Sequence, residues 1–127
     1  MTQYDIDLKS QHAKNFKTLR KILLSYDEIT ELKNAKQTSY RDSYGVVVMM
    51  RTKGDILVVA FGKGYKLQEK FPRLEGNGKI VRHLYFKEED SVDEALLRAM
   101  IEESLLLNIE GFEMRELRKY REFVISI

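Results

Sequence analysis

Between Ser10 and Tyr26 the apolar residues Ala13, Phe16, Leu19, Ile22, Leu23 and Tyr26 recur at helical spacing, while Lys14, Lys17, Arg20 and Lys21 fall mostly elsewhere. The pattern predicts an amphipathic helix with Ser10 as its cap. Asp27 to Ser43 is polar and rich in turn-favouring residues, with brief strands near Ile29 to Leu32 and Thr38 to Tyr40. Gly45 then opens the strongest signal in the chain: Val46 to Met50 and Ile56 to Phe61, two apolar runs joined by Arg51-Thr52-Lys53-Gly54-Asp55. This reads as a β-hairpin, with Gly54 free to take the positive φ of a tight turn. Neither run alternates with polar residues, so both faces of the hairpin carry apolar side chains and both call for cover. Helices can take one face. The other is left to the carboxy-terminal segment, a second subunit or a ligand.

Gly62 and Gly64 end the second strand, and Tyr65 to Phe71 suits a short helical turn or loop closed by Pro72. After the turn at Gly76 and Gly78, Ile80, Arg82, Leu84 and Phe86 alternate with Val81, His83 and Tyr85 in a third major strand. Ser91 and Glu94 have capping-box spacing ahead of Leu96, Met100 and Leu107, which predicts a second helix ending near Gly111. Beyond it, Leu117, Tyr120, Phe123 and Val124 keep helical spacing, although Phe123 to Ile125 suits a strand equally. The expectation is an α+β fold: an antiparallel sheet with a central hairpin, packed against an N-terminal and a C-terminal amphipathic helix. Residues 1–127 read as one domain, with a core over about residues 10–110 and an extension over 111–127.

Composition narrows the setting. An apolar fraction of 43% beside 33% charged residues belongs to an ordinary globular chain. The absence of cysteine rules out disulfides and thiolate metal sites and suits a reducing compartment, so the cytoplasm is the expected location. Asp5 and Asp7 interrupt what a secretory signal would need, and no apolar run approaches the roughly 18 residues of a membrane span.

Candidate chemistry is sparse. Glu88, Glu89, Asp90, Asp93 and Glu94, with Glu102 and Glu103 further on, are hard ligands of the kind that suit iron, but no Glu-x-x-His pair closes a ligand set, and a solvated acidic face explains them as well. His12 and His83 have no orienting carboxylate that the sequence can name. Gly62-Lys63-Gly64 and Gly76-Asn77-Gly78-Lys79 could cradle an oxyanion with their amides, yet neither has the spacing of a nucleotide loop, and plain turns account for both. Between Gly62 and Lys87, seven Lys and Arg residues outnumber Glu69 and Glu75. That basic stretch, interleaved with Tyr65, Phe71, Tyr85 and Phe86, could hold phosphate or nucleic acid only if those rings were exposed. A net charge of +2 lends nucleic acid little support, and a basic counterpart to the acidic helix is the stronger explanation.

The stretch Leu74-Glu75-Gly76-Asn77-Gly78-Lys79-Ile80-Val81-Arg82-His83 resembles the YdhG-like family of small bacterial domains, with an amphipathic helix and two apolar strands before it and a Ser-x-Asp-Glu-opened helix, Ser91 to Asn108, after it. The resemblance covers about residues 10–110. It implies an antiparallel sheet backed by helices. It also implies a relative, similar to frataxin in architecture, that acts as an iron chaperone through acidic surface residues. Fold similarity alone does not carry that activity over.

Three expectations result. The first is a non-enzymatic binding or adaptor domain, requiring no cofactor, that takes a small ligand or protein partner at Gly76, Gly78, Lys79, Arg82 and His83, or forms a homodimer through the second, apolar sheet face. The second is an iron carrier using Glu88, Glu89, Asp90, Asp93 and Glu94. The third and weakest is phosphate or nucleic-acid binding by the basic Gly62 to Lys87 region. An enzyme requires Arg82 and His83 to meet a carboxylate across the fold.

Overall fold

The computed structural model describes residues 1–126, and every element begins from a local reason. Helix α1, Gln3–Leu8, opens on a reciprocal capping box between Thr2 and Asp5, a short-range signal that the apolar periodicity of the chain conceals. Helix α2, Ala13–Leu24, buries Phe16, Leu19, Ile22 and Leu23. The helix expected over Ser10 to Tyr26 is α2, starting three residues later, and α1 is an additional helix before it. Ser10 serves the corner between them, its hydroxyl donating to the Asp7 carbonyl at 2.8 Å and accepting from the His12 amide at 3.1 Å. His12 precedes the first turn of α2; it is buried and its Nε2 lies 3.3 Å from the Gly54 carbonyl.

Strands β1, Thr30–Lys33, β2, Thr38–Arg41, β3, Val46–Lys53, β4, Ile56–Phe61, and β5, Arg82–Lys87, form one antiparallel sheet in chain order. The hairpin register pairs Val48 with Phe61, Met50 with Val59 and Thr52 with Leu57, and Gly54 turns it at φ +59°. Ile80 falls outside the third major strand, which starts at Arg82; the Tyr65 amide donates to the Ile80 carbonyl instead. A short helix, α3, Gly64–Leu67, occupies the turn after β4.

Helix α4, Glu94–Ser126, is the longest element. Its cap is Asp93, whose carboxylate accepts the Leu96 amide at 3.1 Å, where Ser91 was the expected one. It does not end near Gly111, nor is Phe123 to Ile125 a strand: a glycine costs a helix only about 1 kcal/mol, too little to stop it without a following C-cap or proline.

The helices and the sheet share one core. Phe16, Leu19, Tyr40, Val48, Met50, Leu57, Val59, Phe61, Leu84, Phe86, Leu97, Met100 and Ile101 are all 3% exposed or less. All the strand residues in that group lie on a single face, as the register requires. No described helix lies over the other face, so the C-terminal segment is not its cover. No described helix is long and apolar enough to cross a membrane.

Candidate functional site

The open face is read from strand register. Antiparallel partners point to the same side of a sheet, so Leu32, Ser39, Met49, Ala60 and His83 form one row across all five strands. Arg51, Val58 and Tyr85 form the next, and Lys53, Ile56 and Lys87 the third. Met49, Ile56, Val58, Ala60 and His83 are half-buried, while Leu32 is 57% and Tyr85 40% exposed. Two shallow depressions lie among them. One of about 540 Å³ is lined by Arg51, Lys53, Ile56, Val58, His83 and Tyr85. Another of about 350 Å³ is lined by Gln37, Met49, Met50, Arg51, Val58, Ala60, Val81 and His83. Arg51, Val58 and His83 belong to both.

His83 lies on the edge strand β5 and lines both depressions. Its ring stacks on Tyr85 with centroids 5.7 Å apart and planes 13° from parallel. Its Nδ1 is buried with no hydrogen-bond partner among the described residues. A buried ring nitrogen without a partner costs the fold stability whichever tautomer is present. Arg51, Lys53 and Lys87 enter no ion pair among the described residues. The surface therefore combines an apolar floor, an aromatic pair and unpaired cations, with one carboxylate, Glu75, added beyond β5 as the antiparallel bridge partner of His83.

Of the residues expected at a ligand site, four lie together. Gly76 has φ +124° and backs onto His83, with Nδ1 3.4 Å from where a Cβ would be. Arg82 is spent internally: Nε donates to Gln68 at 2.9 Å and its Nη1 donates to the Gly78 and Val81 carbonyls. Lys79 is exposed and apart. The stretch is thus mainly a folded loop tied to the strand edge by the reciprocal Glu75–His83 amide bonds, both 2.8 Å, and His83 is its contribution to the open face. The sequence signal for the other members, Arg51, Lys53, Val58 and Tyr85, was the missing alternation in the hairpin, which becomes informative only once register assigns each side chain a face.

The acidic residues do different work. Asp90 accepts the Lys87 amide at 2.7 Å, Asp93 caps α4, and Glu94 pairs with Arg98 at 3.1 Å. Glu88 and Glu89 are exposed, and no three His, Asp or Glu side chains among the described residues gather as a metal site would require. The basic stretch is divided. Lys70 bonds Glu103 of α4 at 2.9 Å. Lys63 and Lys66 line a cleft of about 450 Å³ with Tyr65 and with Arg115 and Arg118 of α4. Gly64 packs against the Arg82 backbone too closely for any Cβ, which explains one glycine of Gly62-Lys63-Gly64 by packing. The four aromatic residues share no platform, since Phe86 is 2% exposed on the helix side while Tyr85 faces out.

The chain matches no family model, and no curated protein matches it. Among solved structures it is similar to YdhG of Bacillus subtilis, a protein of the DUF1801 family, with a TM-score of 0.58 and 19% identity over 76% of this chain and 79% of that one. The likeness is one of fold, to a protein of the kind that the Leu74 to His83 stretch resembles.

Proposed function

We propose that residues 1–127 are a single non-enzymatic binding domain whose working surface is the open face of the sheet, receiving an apolar body that carries negative charge. The supporting observation is the coincidence on that face of half-buried apolar rows, the stacked His83 and Tyr85, and three unpaired cations. An exposed apolar patch rimmed by charge is the usual mark of an interaction site. Anilinonaphthalene sulfonate, an aromatic anion, is a suitable probe. In a nitrogen–proton NMR titration its amide shifts are expected on β3, β4 and β5, and to vanish in Val58→Asp and Arg51→Glu. Shifts confined to the helices, or unchanged in both variants, would refute the assignment. A cytoplasmic setting fits the cysteine-free composition.

A second reading, polyanion binding, is favoured by the cleft in which Lys63, Lys66, Arg115 and Arg118 meet one carboxylate, Glu110. It predicts low-salt retention on a heparin column that falls steeply with added salt. Retention unchanged by Lys66→Glu with Arg118→Glu would reject it.

A further inference from the structure

We infer that the body received on the open sheet face is the C-terminal half of α4 from a second copy of this chain, an inference that rests on the preceding reading of that face. It begins with the distribution of apolar residues along one unbroken helix. Leu97, Met100, Ile101 and Leu105 are buried against the sheet. At about 100° per residue, Leu106, Leu117 and Val124 fall on roughly the opposite side, with Tyr120 beside them. Leu106 is 54%, Leu117 61% and Tyr120 67% exposed, and every residue from Phe112 to Ser126 is exposed. Beyond Gly111 the apolar residues fan widely over the outward side of the helix, with Leu117, Tyr120 and Val124 at the centre of the fan. An isolated helix of about 15 residues is marginal in water, and its stability in proteins comes mostly from packing such a stripe.

Charge says what the stripe fits. Glu110, Glu113 and Glu116 stand within or beside it by the same angular count, with Arg121 the single cation at its edge. The open sheet face supplies Arg51, Lys53 and Lys87 against one carboxylate, Glu75, which lies at its far edge beside His83. Two stripe-on-stripe helices would bring these glutamates towards one another, whereas helix on sheet brings them to the cations. Dimensions agree as well. Gly111 to Ser126 spans about 24 Å at 1.5 Å per residue, and five strands span about 19 Å at 4.8 Å spacing. The contact must be between copies, because α4 runs unbroken along the other side of its own sheet. Reciprocal exchange closes a twofold dimer. The ring of Tyr120 brings roughly 150 Å² or more per copy, and with Leu106, Leu117 and Val124 around it and the sheet surface that each contact covers, two such contacts reach the roughly 1,000 Å² that a specific interface needs.

Sedimentation of the full chain tests this. A dimer of the 15.0 kDa chain is expected, with Val58→Asp (sheet) and Leu117→Asp (helix) each weakening it at least about tenfold. Mixed together, these two variants should form a heterodimer, because the intact helix of one meets the intact sheet of the other. Arg51→Glu and Glu113→Lys should each weaken the dimer and together restore it. Circular dichroism confirms folding, and Val58→Thr and Leu117→Ser replace any aspartate variant that unfolds. Dimerisation of the helix variant alone would mean sheet on sheet, that of the sheet variant alone would mean helix on helix, and either result overturns the inference. So does a monomer at all concentrations; if the aromatic anion still maps to the open face, the binding surface survives without the second copy, and if it does not, both fall.

Discussion

Glu31 shows how one half-buried carboxylate joins a helix to a strand edge. Arg20 of α2 donates to it through Nε at 2.7 Å and Nη2 at 3.0 Å, and Tyr40 of β2 donates through its hydroxyl at 2.8 Å. Burial pushes the Glu31 carboxyl up, but the bonds from Arg20 and Tyr40 outweigh it and hold the group below the usual carboxylate range. Burial, then the bond to Glu31 and its charge, pushes the Tyr40 phenol far above the usual range. The two linkages have opposite sign. Glu31 contributes stability above its unfolded value of about 4.3, lost as pH falls through the folded value; Tyr40 contributes stability below about 10, lost as pH rises beyond it. Urea midpoints measured across pH should therefore fall at both ends, and Glu31→Gln should remove part of the acid limb and soften the alkaline one. At Asp7, fully buried, one carboxylate oxygen accepts from Gln3 at 2.8 Å and from the amide and hydroxyl of Thr52 at 3.1 and 2.8 Å. Asp7→Ala strands the Thr52 donors and is expected to cost about 2–3 kcal/mol in urea denaturation, with Asp7→Asn milder.

At the scale of elements, α4 has two halves with separate obligations. The first half carries the cap and the core contacts, and it ends where Asn108 donates to Asp42 at 3.3 Å and Phe112 meets Tyr44 with ring centroids 5.0 Å apart. Asp42 also accepts the Tyr44 and Gly45 amides at 2.8 and 2.9 Å, so the helix is pinned to the turn that opens β3. Removal of the Asp93 side chain should cost about 1 kcal/mol, the usual worth of an N-cap. Ser91→Ala should leave the denaturation midpoint unchanged; the reverse ranking would return the cap to Ser91. Beyond the cleft that it shares with Lys63, Tyr65 and Lys66, the second half is exposed throughout, which is the physical basis for seeking a partner on another copy.

For the whole molecule, one helical layer over one sheet leaves the two sheet faces unequal, and neighbouring residues on β4 report this. Leu57 is fully buried beneath the helices, while Val58 beside it is half-buried on the open side. Leu57→Ala is expected to cost about 2–5 kcal/mol through the cavity it leaves. Val58→Ala should stay within about 1 kcal/mol, since no packed layer closes over it. Similar losses at both positions in guanidinium titrations would show that the open face is covered in solution, as the exchanged dimer requires at high concentration. The comparison is therefore best repeated across protein concentration.

Local sequence determined the hairpin, its turn at Gly54, the two short strands before it and both principal helices, because periodicity, turn chemistry and short-range capping act within a few residues. It also named His83 as a candidate, though not the residues that register sets around it. Only the tertiary structure decided which side of each strand meets the helices. A run such as Val46 to Met50 is apolar on both sides, and register with β2 and β4, set by distant residues, turns Met49 to the open face and Met50 to the core. The same holds for α4: a glycine at position 111 suggested an end, but the helix persists because nothing around it breaks the ladder of backbone bonds, and its outward stripe has meaning only against the position of the core.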